Sequence, residues 1–142
     1  MQLRELIQEM LFQCKTLNLL YVEDDKTISD IMIEMLKPYF NSITVAYDGK
    51  QGLNNYSNGL FDIVLTDNIM PELSGVSMSE EIRAINPGQV IIIMSSLEEP
   101  SHFKDFIRIG INKFIPKPAS LEEILKAFID EAININNAKI SI

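Results

Sequence analysis

The stretch FDIVLTDNIMPELSG, residues 61–75, has the pattern of a buried β-strand that runs into a loop at Asp67. Its mostly apolar start is typical of a strand covered on both faces, as in a parallel sheet. The Met-Pro pair and the glycine that follow restrict how the loop leaves the strand. Ligands of open parallel sheets bind beyond the carboxyl ends of the strands, so Asp67 is a candidate site residue if other strands end in matching chemistry.

Composition narrows the classes of protein to consider. The chain has 142 residues, of which 46% are hydrophobic and 23% charged, which fits one domain with a sizeable core. A formal net charge of −8 argues against binding of nucleic acid or an anionic membrane by this chain. The single cysteine, Cys14, excludes an internal disulfide framework and fits a reducing compartment. Without a signal-peptide core or a long apolar run, we expect a soluble cytoplasmic protein.

Apolar runs alternate with helical patterns from residue 18 onward. The expected strands cover residues 19–22, 43–46, 61–66, 90–94 and 114–115. The helices between and after them are expected to end at Pro38, near Tyr56, at residues 86–88, at Gly110 and near Ile133. This alternation predicts a doubly wound α/β domain, with a five-stranded parallel sheet and helices on both faces.

Local signals predict where several of these helices begin. Ser74 and Gly75 open the helix after the third strand, and Pro100 opens the helix after the fourth. Ser120 with Glu123 three residues later forms a capping box for the last helix.

Two segments fall outside the alternating pattern. Residues 1–16 form an amphipathic helical extension, residues 17–133 the domain, and residues 134–142 an Asn-rich tail with no clear pattern. The apolar stripe of the extension comprises Leu3, Leu6, Ile7, Met10, Leu11 and Cys14. The stripe packs either on its own domain or against a partner helix, including that of a second copy in a homodimer. If the second alternative holds, deleting residues 1–16 changes the mass measured by light scattering.

Four of the five strands end in reactive residue types. The first ends in Glu23 and Asp24, the third in Asp67, the fourth in Ser95 and the fifth in Lys117. Crowded carboxylates repel one another and favour a hard cation such as Mg²⁺, which takes oxygen ligands. A hydroxyl and an ammonium beside that cation suit a tetrahedral oxyanion. The chemistry indicated is phosphoryl transfer onto the carboxylate of Asp67.

These residues give the chain a resemblance to the receiver domain of two-component response regulators, over roughly residues 17–133. The motifs that match in order and spacing lie at residues 20–25, 67–75, 95–96 and 117–118. The resemblance implies a flavodoxin-like fold and a cytoplasmic phosphoprotein of a phosphorelay. A histidine kinase or phosphotransfer protein would supply the phosphoryl group, and an output domain or a downstream protein would receive the signal.

The resemblance also assigns roles at the metal. Asp67 would be the phosphoacceptor, and Asp24 would ligate Mg²⁺ directly. Glu23 would act mainly through a metal-bound water, while the backbone carbonyl of Ile69 would be a further ligand. The neighbouring Asp25 is expected to be only a helix cap.

Further roles concern the phosphoryl oxygens and the conformational switch. Ser95 would bond one phosphoryl oxygen and the Lys117 ammonium another, and the family predicts a cis peptide between Lys117 and Pro118. When Ser95 moves toward the phosphoryl group, Phe114 would turn inward, by packing alone because it lacks the hydroxyl of the commoner tyrosine. The readout face would carry His102, Lys104, Asp105, Arg108 and Lys113.

The residues two beyond Asp67 and Ser95 bear on the lifetime of the phosphoryl group. They are Ile69 and Leu97, and neither side chain can orient an attacking water. We therefore expect self-dephosphorylation to take many minutes or longer.

Two other readings of the same residues stay open. A phosphatase of the haloacid-dehalogenase type also uses a strand-end aspartate, but needs a second aspartate where this chain has Ile69. A pseudo-receiver would be a protein-binding module that is never phosphorylated, although Asp24, Asp67, Ser95 and Lys117 together speak against it. The expected role is that of a signalling switch and not of an enzyme in the metabolic sense.

Overall fold

A computed structural model describes residues 1–96 and 103–140 of the chain. Its strands are β1 (Asn18–Val22), β2 (Ser42–Ala46), β3 (Ile63–Asp67), β4 (Val90–Ser96) and β5 (Lys113–Lys117). All pair in parallel, in the order β2-β1-β3-β4-β5. The predicted doubly wound, flavodoxin-like α/β fold is confirmed. We call the side where the strands end the carboxyl edge and the opposite side the amino edge.

The described helices form two layers on the sheet. They are α1 (Leu3–Cys14), α2 (Lys26–Leu36), α3 (Gly49–Ser57), α4 (Gly75–Ile85), α5 (Phe103–Ile109) and α6 (Leu121–Ile140). One apolar core lies under α1, α2 and α6, and a second lies under α3, α4 and α5. The side chains of Asp25 and Ser74 cap α2 and α4 as their sequence positions predict, and Ser120 accepts from the amide of Glu123 in the predicted capping box.

Strand ends differ from the sequence prediction by at most two residues. Residues 61 and 62 precede β3, although Asp62 still bonds to Asn18 at the start of β1. Its backbone amide donates to the Asn18 carbonyl at 2.9 Å, and its carboxylate accepts the Asn18 amide at 2.8 Å. β4 continues to Ser96 and β5 to Lys117 because these ends pair with each other in register. The expected helix start at Pro100 lies outside the described residues.

The N-terminal helix α1 packs on its own domain, against α6. Leu6, Met10 and Cys14 are buried in the core that α6 shares, whereas Leu3 and Leu11 of the predicted stripe are exposed. Burial raises the pKa of the Cys14 thiol to about 12. Intramolecular packing of the stripe is therefore observed, and association of α1 with a second copy stays a prediction.

The last helix is longer than predicted, since α6 reaches Ile140 and includes most of the expected tail. Asn136 explains the extension, because its side-chain amide donates to the backbone and side-chain oxygens of Gln13 at 3.0 and 2.8 Å. Tertiary contact with α1 thus outweighs the low helix propensity of the Asn-rich segment. Among the described residues, no helix is long and apolar enough to cross a membrane.

The amino edge is held by a network of paired polar groups. Gln89, nearly fully buried, accepts from the Tyr56 hydroxyl at 2.7 Å and donates to the Asp62 carbonyl at 3.1 Å. The Asp62 carboxylate lies 3.6 Å from the Lys139 ammonium and accepts the amide of Asn18. The network ties the starts of β1, β3 and β4 to α3 and α6.

Candidate functional site

Three carboxylates meet at the carboxyl edge. One ligand oxygen from each of Glu23, Asp24 and Asp67 can be chosen so that all three lie within 4.8 Å of one another. The Lys117 ammonium lies 2.7 Å from Asp67 Oδ1 and 3.8 Å from Glu23 Oε1. The sequence-predicted carboxylates and lysine are therefore brought together as one cluster.

Strand register places these groups side by side. Val22 of β1 pairs with Thr66 of β3, so that Glu23 and Asp67 leave neighbouring strands at the same height. β4 separates β3 from β5, and Lys117 must reach across it, which its long side chain does. The arrangement follows from parallel strands whose carboxyl ends share one edge.

Close backbone packing fixes the loop after Asp67. A Cβ on Gly75 would lie 2.3 Å from the Asp67 carbonyl oxygen and 3.0 Å from Asn68 Cα, so no side chain fits there. Asn68 is fully buried, and its side-chain oxygen accepts the amide of Val76 at 3.2 Å while its carbonyl accepts that of Gly75. Sequence reasoning missed Asn68, although a polar residue directly after a buried strand was a usable signal.

The surroundings of Glu23 favour the protonated form of its carboxyl group. The pKa of Glu23 rises to about 7, chiefly through burial, then through the Asp67 charge and a hydrogen bond with Asp24. Lys117 and the Asp25 amide oppose this rise without cancelling it. One ammonium group cannot balance the negative charge of three carboxylates. Their oxygens are therefore suitable ligands for a hard divalent cation such as Mg²⁺.

Ser95 and Phe114 lie on one face of the sheet. Ile93 pairs with Phe114 in the β4–β5 register, and Ser95 follows two residues later on the same side. Ser95 is buried, at 3% exposure. The predicted cis peptide between Lys117 and Pro118 is present.

The Phe114 ring belongs to a cluster of three phenylalanines. Its centroid lies 5.1 Å from that of Phe103 and 5.5 Å from that of Phe106, both on α5. Phe114 is half-buried in this cluster, which links the start of β5 to α5 through ring contacts.

An apolar groove adjoins the site between α2 and the start of α6. It is lined by Ile28, Ile31, Met32, Met35, Ala119, Leu121 and Ile124. Ile28 and Ile31 are 45% and 66% exposed, although both side chains are large and apolar. The groove is continuous in sequence with the site on both sides, because α2 follows Glu23 and Asp24 while Ala119 follows Lys117 by two residues.

Several residues of the predicted readout face make contacts within the chain. Arg108 pairs with Glu80 on α4 and with Asp105, and Lys113 lies 3.1 Å from Asp130 on α6. Leu97 and His102, also named from the sequence, lie outside the described residues.

Comparison with known sequences gives consistent matches. The family model described as response regulator receiver domain matches residues 19–129. The two-component response regulator ORR42 of Oryza sativa subsp. japonica is 34% identical over 131 residues, which cover 90% of this chain and 97% of ORR42. The transcriptional regulatory protein DltR of Streptococcus agalactiae is 30% identical over 109 residues, which cover 77% of this chain and 49% of DltR. The chain thus spans about half the length of that relative.

Solved structures share the fold. The N-terminal domain of an uncharacterized protein from Wolinella succinogenes matches with a TM-score of 0.79 and 27% identity, covering 87% of this chain and 99% of that domain. The receiver domain of Ssk1 from Saccharomyces cerevisiae, co-crystallised with the histidine phosphotransfer protein Ypd1, matches with a TM-score of 0.76 and 20% identity. That match covers 84% of this chain and 91% of the other chain, and at this identity it supports the fold alone.

Proposed function

The chain belongs to the response regulator receiver domain family of two-component systems. From this premise we propose that Asp67 accepts a phosphoryl group in a Mg²⁺-dependent reaction. The domain then changes conformation to signal downstream. The observation that carries the proposal is the 2.7 Å contact of Lys117 with Asp67 beside the carboxylates of Glu23 and Asp24.

The proposed donor is a phosphohistidine of a histidine kinase or phosphotransfer protein. An Asp67 carboxylate oxygen attacks phosphorus, the P–N bond breaks, and its electron pair leaves on the imidazole. Asp24, Asp67 and the Ile69 carbonyl would hold Mg²⁺ directly, and Glu23 would hold it through a water. The bound ion would neutralise charge on the phosphoryl oxygens.

Two further side chains would bind the transferred group. The Lys117 ammonium, already beside Asp67, pairs with one phosphoryl oxygen, and the Ser95 hydroxyl donates to another. Movement of Ser95 toward the group opens space on the face it shares with Phe114, and the Phe114 ring turns into that space. The change is a shift between two packings of one domain, so the role proposed is a switch and not metabolic catalysis.

We propose that the phosphoryl group is long-lived. Ile69, two residues beyond Asp67, has an apolar side chain that is 55% exposed and cannot hold a water for attack. Replacing it with Asn supplies an amide that can, and Ile69→Asn should shorten the half-life of phospho-Asp67. A half-life of seconds in the wild-type chain with Mg²⁺ would contradict this part of the proposal.

Incubation with acetyl phosphate and Mg²⁺, followed by intact mass, tests the function. A receiver gains about 80 Da for one phosphoryl group, and Asp67→Ala abolishes the gain. Rapid release of phosphate with no adduct would support the phosphatase reading instead. Neither adduct nor turnover, from acetyl phosphate or a phosphohistidine donor, would support a pseudo-receiver.

The proposed partner surface is the apolar groove of α2 and α6. A donor histidine must come close to Asp67, and the groove is an exposed apolar surface whose residues follow the site residues in sequence on both sides. An amphipathic helix of the phosphotransfer protein would lay its apolar face there.

A charge placed in the groove separates docking from chemistry. The donor in this test is a phosphotransfer protein that phosphorylates the wild-type chain. Ile31→Asp should slow phosphoryl transfer from it by about tenfold or more, because a carboxylate buried on docking opposes apolar contact. Acetyl phosphate, which needs no docking, should phosphorylate the variant at the wild-type rate. Ile85→Asp is the matched control, because Ile85 is 58% exposed on α4 and does not line the groove.

A further inference from the structure

Arg83, in the last turn of α4, joins three segments of the chain through its guanidinium. Its Nε donates to the Ile109 carbonyl at 3.1 Å and Nη2 donates to the Gly110 carbonyl at 2.8 Å, both at the end of α5. Nη1 donates to the carbonyls of Pro87, at 3.2 Å, and Gln89, which lead into β4. The planar fork of an arginine makes such multiple donation from fixed directions feasible.

The acceptors of Arg83 are neutral oxygens. Besides the four carbonyls, Asn112 Oδ1 accepts from Nη2 at 3.1 Å and also from the amide of Ile91 at 2.9 Å. Burial lowers the pKa of Arg83, with the charge of Tyr56 opposing it. The carbonyls at the end of a helix lack intrahelical donors and carry partial negative charge, so a cation there stabilises that helix end.

The backbone of α5 is also fixed at this end. Gly110 adopts φ +77°, the Ile111 amide donates to the Phe106 carbonyl at 2.9 Å, and the Gly110 amide donates to the Ile107 carbonyl at 3.2 Å. This pair of bonds is a Schellman motif. The Arg83 guanidinium donates to the carbonyls of Ile109 and Gly110, which accept neither bond of this motif.

The other end of α5 is held differently. Phe103 and Phe106 contact Phe114 by ring packing, which lacks the directionality of hydrogen bonds. Within the described residues, the contacts of α5 with Phe114 are therefore of a kind that tolerates sliding, while the end at Gly110 is hydrogen-bonded to Arg83 of α4.

We infer that Arg83 is a positioning residue that anchors the C-terminal end of α5, so that movement of Phe114 is expressed as a swing of α5 at its Phe103 end. The driving movement rests on the proposed function, whereas the anchor does not. Arg108 offers a matched control, because it also joins α5 to α4 but is exposed and pairs with the carboxylates of Glu80 and Asp105. Such exposed pairs contribute little.

Amide hydrogen exchange of the unphosphorylated chain tests the anchor. Arg83→Lys keeps the charge but loses the fork, and should speed exchange of the Gly110 and Ile111 amides by about tenfold, which corresponds to about 1.4 kcal/mol. Arg108→Ala should leave both amides near their wild-type rates. Equal effects of the two substitutions, or an increase that extends to Leu65 in the central strand, would overturn the anchor.

The swing is tested by NMR with Mg²⁺ and beryllium fluoride, a tetrahedral substitute for the phosphoryl group. In the wild-type chain, amide shift changes should be larger at Phe103 than at Ile109 and Gly110, and this comparison needs no variant to fold. Arg83→Lys should reduce that difference while acetyl phosphate still modifies Asp67 at the wild-type rate. Uniform changes along α5 in the wild-type chain would overturn the swing. If Asp67 takes no phosphoryl group, the proposed function fails, and the exchange measurement still decides the anchor.

Discussion

At the carboxyl edge of the sheet, three carboxylates share one ammonium, and the loop after Asp67 approaches its own helix so closely that only glycine fits at residue 75. At the amino edge, Gln89, Tyr56 and Asp62 pair with one another through well-formed hydrogen bonds. Both edges are polar and partly buried. The carboxyl edge has excess negative charge, which a cation could neutralise, whereas the polar groups named at the amino edge are paired with one another.

The difference shows how the domain separates function from stability. Electrostatic repulsion among the ionised carboxylates of Glu23, Asp24 and Asp67 costs the domain free energy, and the cation that we propose to bind there would relieve this repulsion. In the amino-edge network, the Tyr56 hydroxyl, the Gln89 side-chain amide and the Asn18 backbone amide each donate to an acceptor, and these bonds hold the strand starts in place. Substitutions at the two edges should therefore act on different measurable quantities.

Gly75→Ala should give the largest effect, at the carboxyl edge. The added Cβ would overlap the Asp67 carbonyl, so the backbone must shift, costing about 2–3 kcal/mol of unfolding free energy. A displaced Asp67 should also slow phosphorylation by acetyl phosphate by about 100-fold. Denaturant titration and intact mass measure the two effects. Gly88→Ala is the control, since its Cβ would meet only ordinary contact at 3.6 Å.

Gln89→Leu should destabilise the domain at the amino edge without changing the rate of Asp67 phosphorylation. The substitution leaves the Tyr56 hydroxyl and the Asp62 carbonyl without their partner, which should cost about 2 kcal/mol in denaturant titration. Adding Tyr56→Phe should recover part of that loss, because one stranded donor disappears. A phosphorylation rate that falls with stability would contradict the separation of the two edges.

Mg²⁺ should stabilise the chain through the carboxyl edge alone. At ten times its dissociation constant, a ligand that binds only the folded state adds about 1.4 kcal/mol, or roughly 5 °C in Tm. Asp24→Asn should remove this gain, and Gln89→Leu should keep it. Thermal unfolding with Mg²⁺ and with EDTA provides the comparison, and an equal Mg²⁺ response in Asp24→Asn would place the ion elsewhere.

Glu131→Gln should give the smallest effect, between the two edges on α6. Burial raises the pKa of Glu131, while Lys113 opposes the rise and Asp130 adds to it. The folded state therefore prefers the protonated acid, and stability is lost as pH rises above the unfolded value of about 4.3. The variant should unfold at a higher Tm than wild type at neutral pH and at the same Tm near pH 4. Glu122→Gln, exposed on the same helix, should show no such difference.

Strand ends were the most predictable part of the molecule. A strand that must be buried on both faces has a strong apolar signature, and the polar residue that ends it has a defined position on the sheet edge. Asp67, Glu23, Asp24 and Lys117 could therefore be brought together from the sequence, and the structure confirms their proximity.

Features that depend on tertiary contact were not predictable. The last turns of α6 are Asn-rich and form a helix because Asn136 bonds to Gln13, a residue 123 positions away. Arg83 has no local signature either, since its acceptors are backbone carbonyls of two segments and the side-chain oxygen of Asn112, and none of them is charged. Such contacts become visible only once the helices have been placed.

Burial of Cys14 has a practical consequence for labelling. With a pKa of about 12, the only thiol of the chain is almost never ionised at neutral pH and is also out of reach of reagents. A cysteine introduced at Ile107, which is 82% exposed on α5, would then react with a maleimide dye in the natural background. With this single substitution, the fluorescence of the attached dye would report movement of α5.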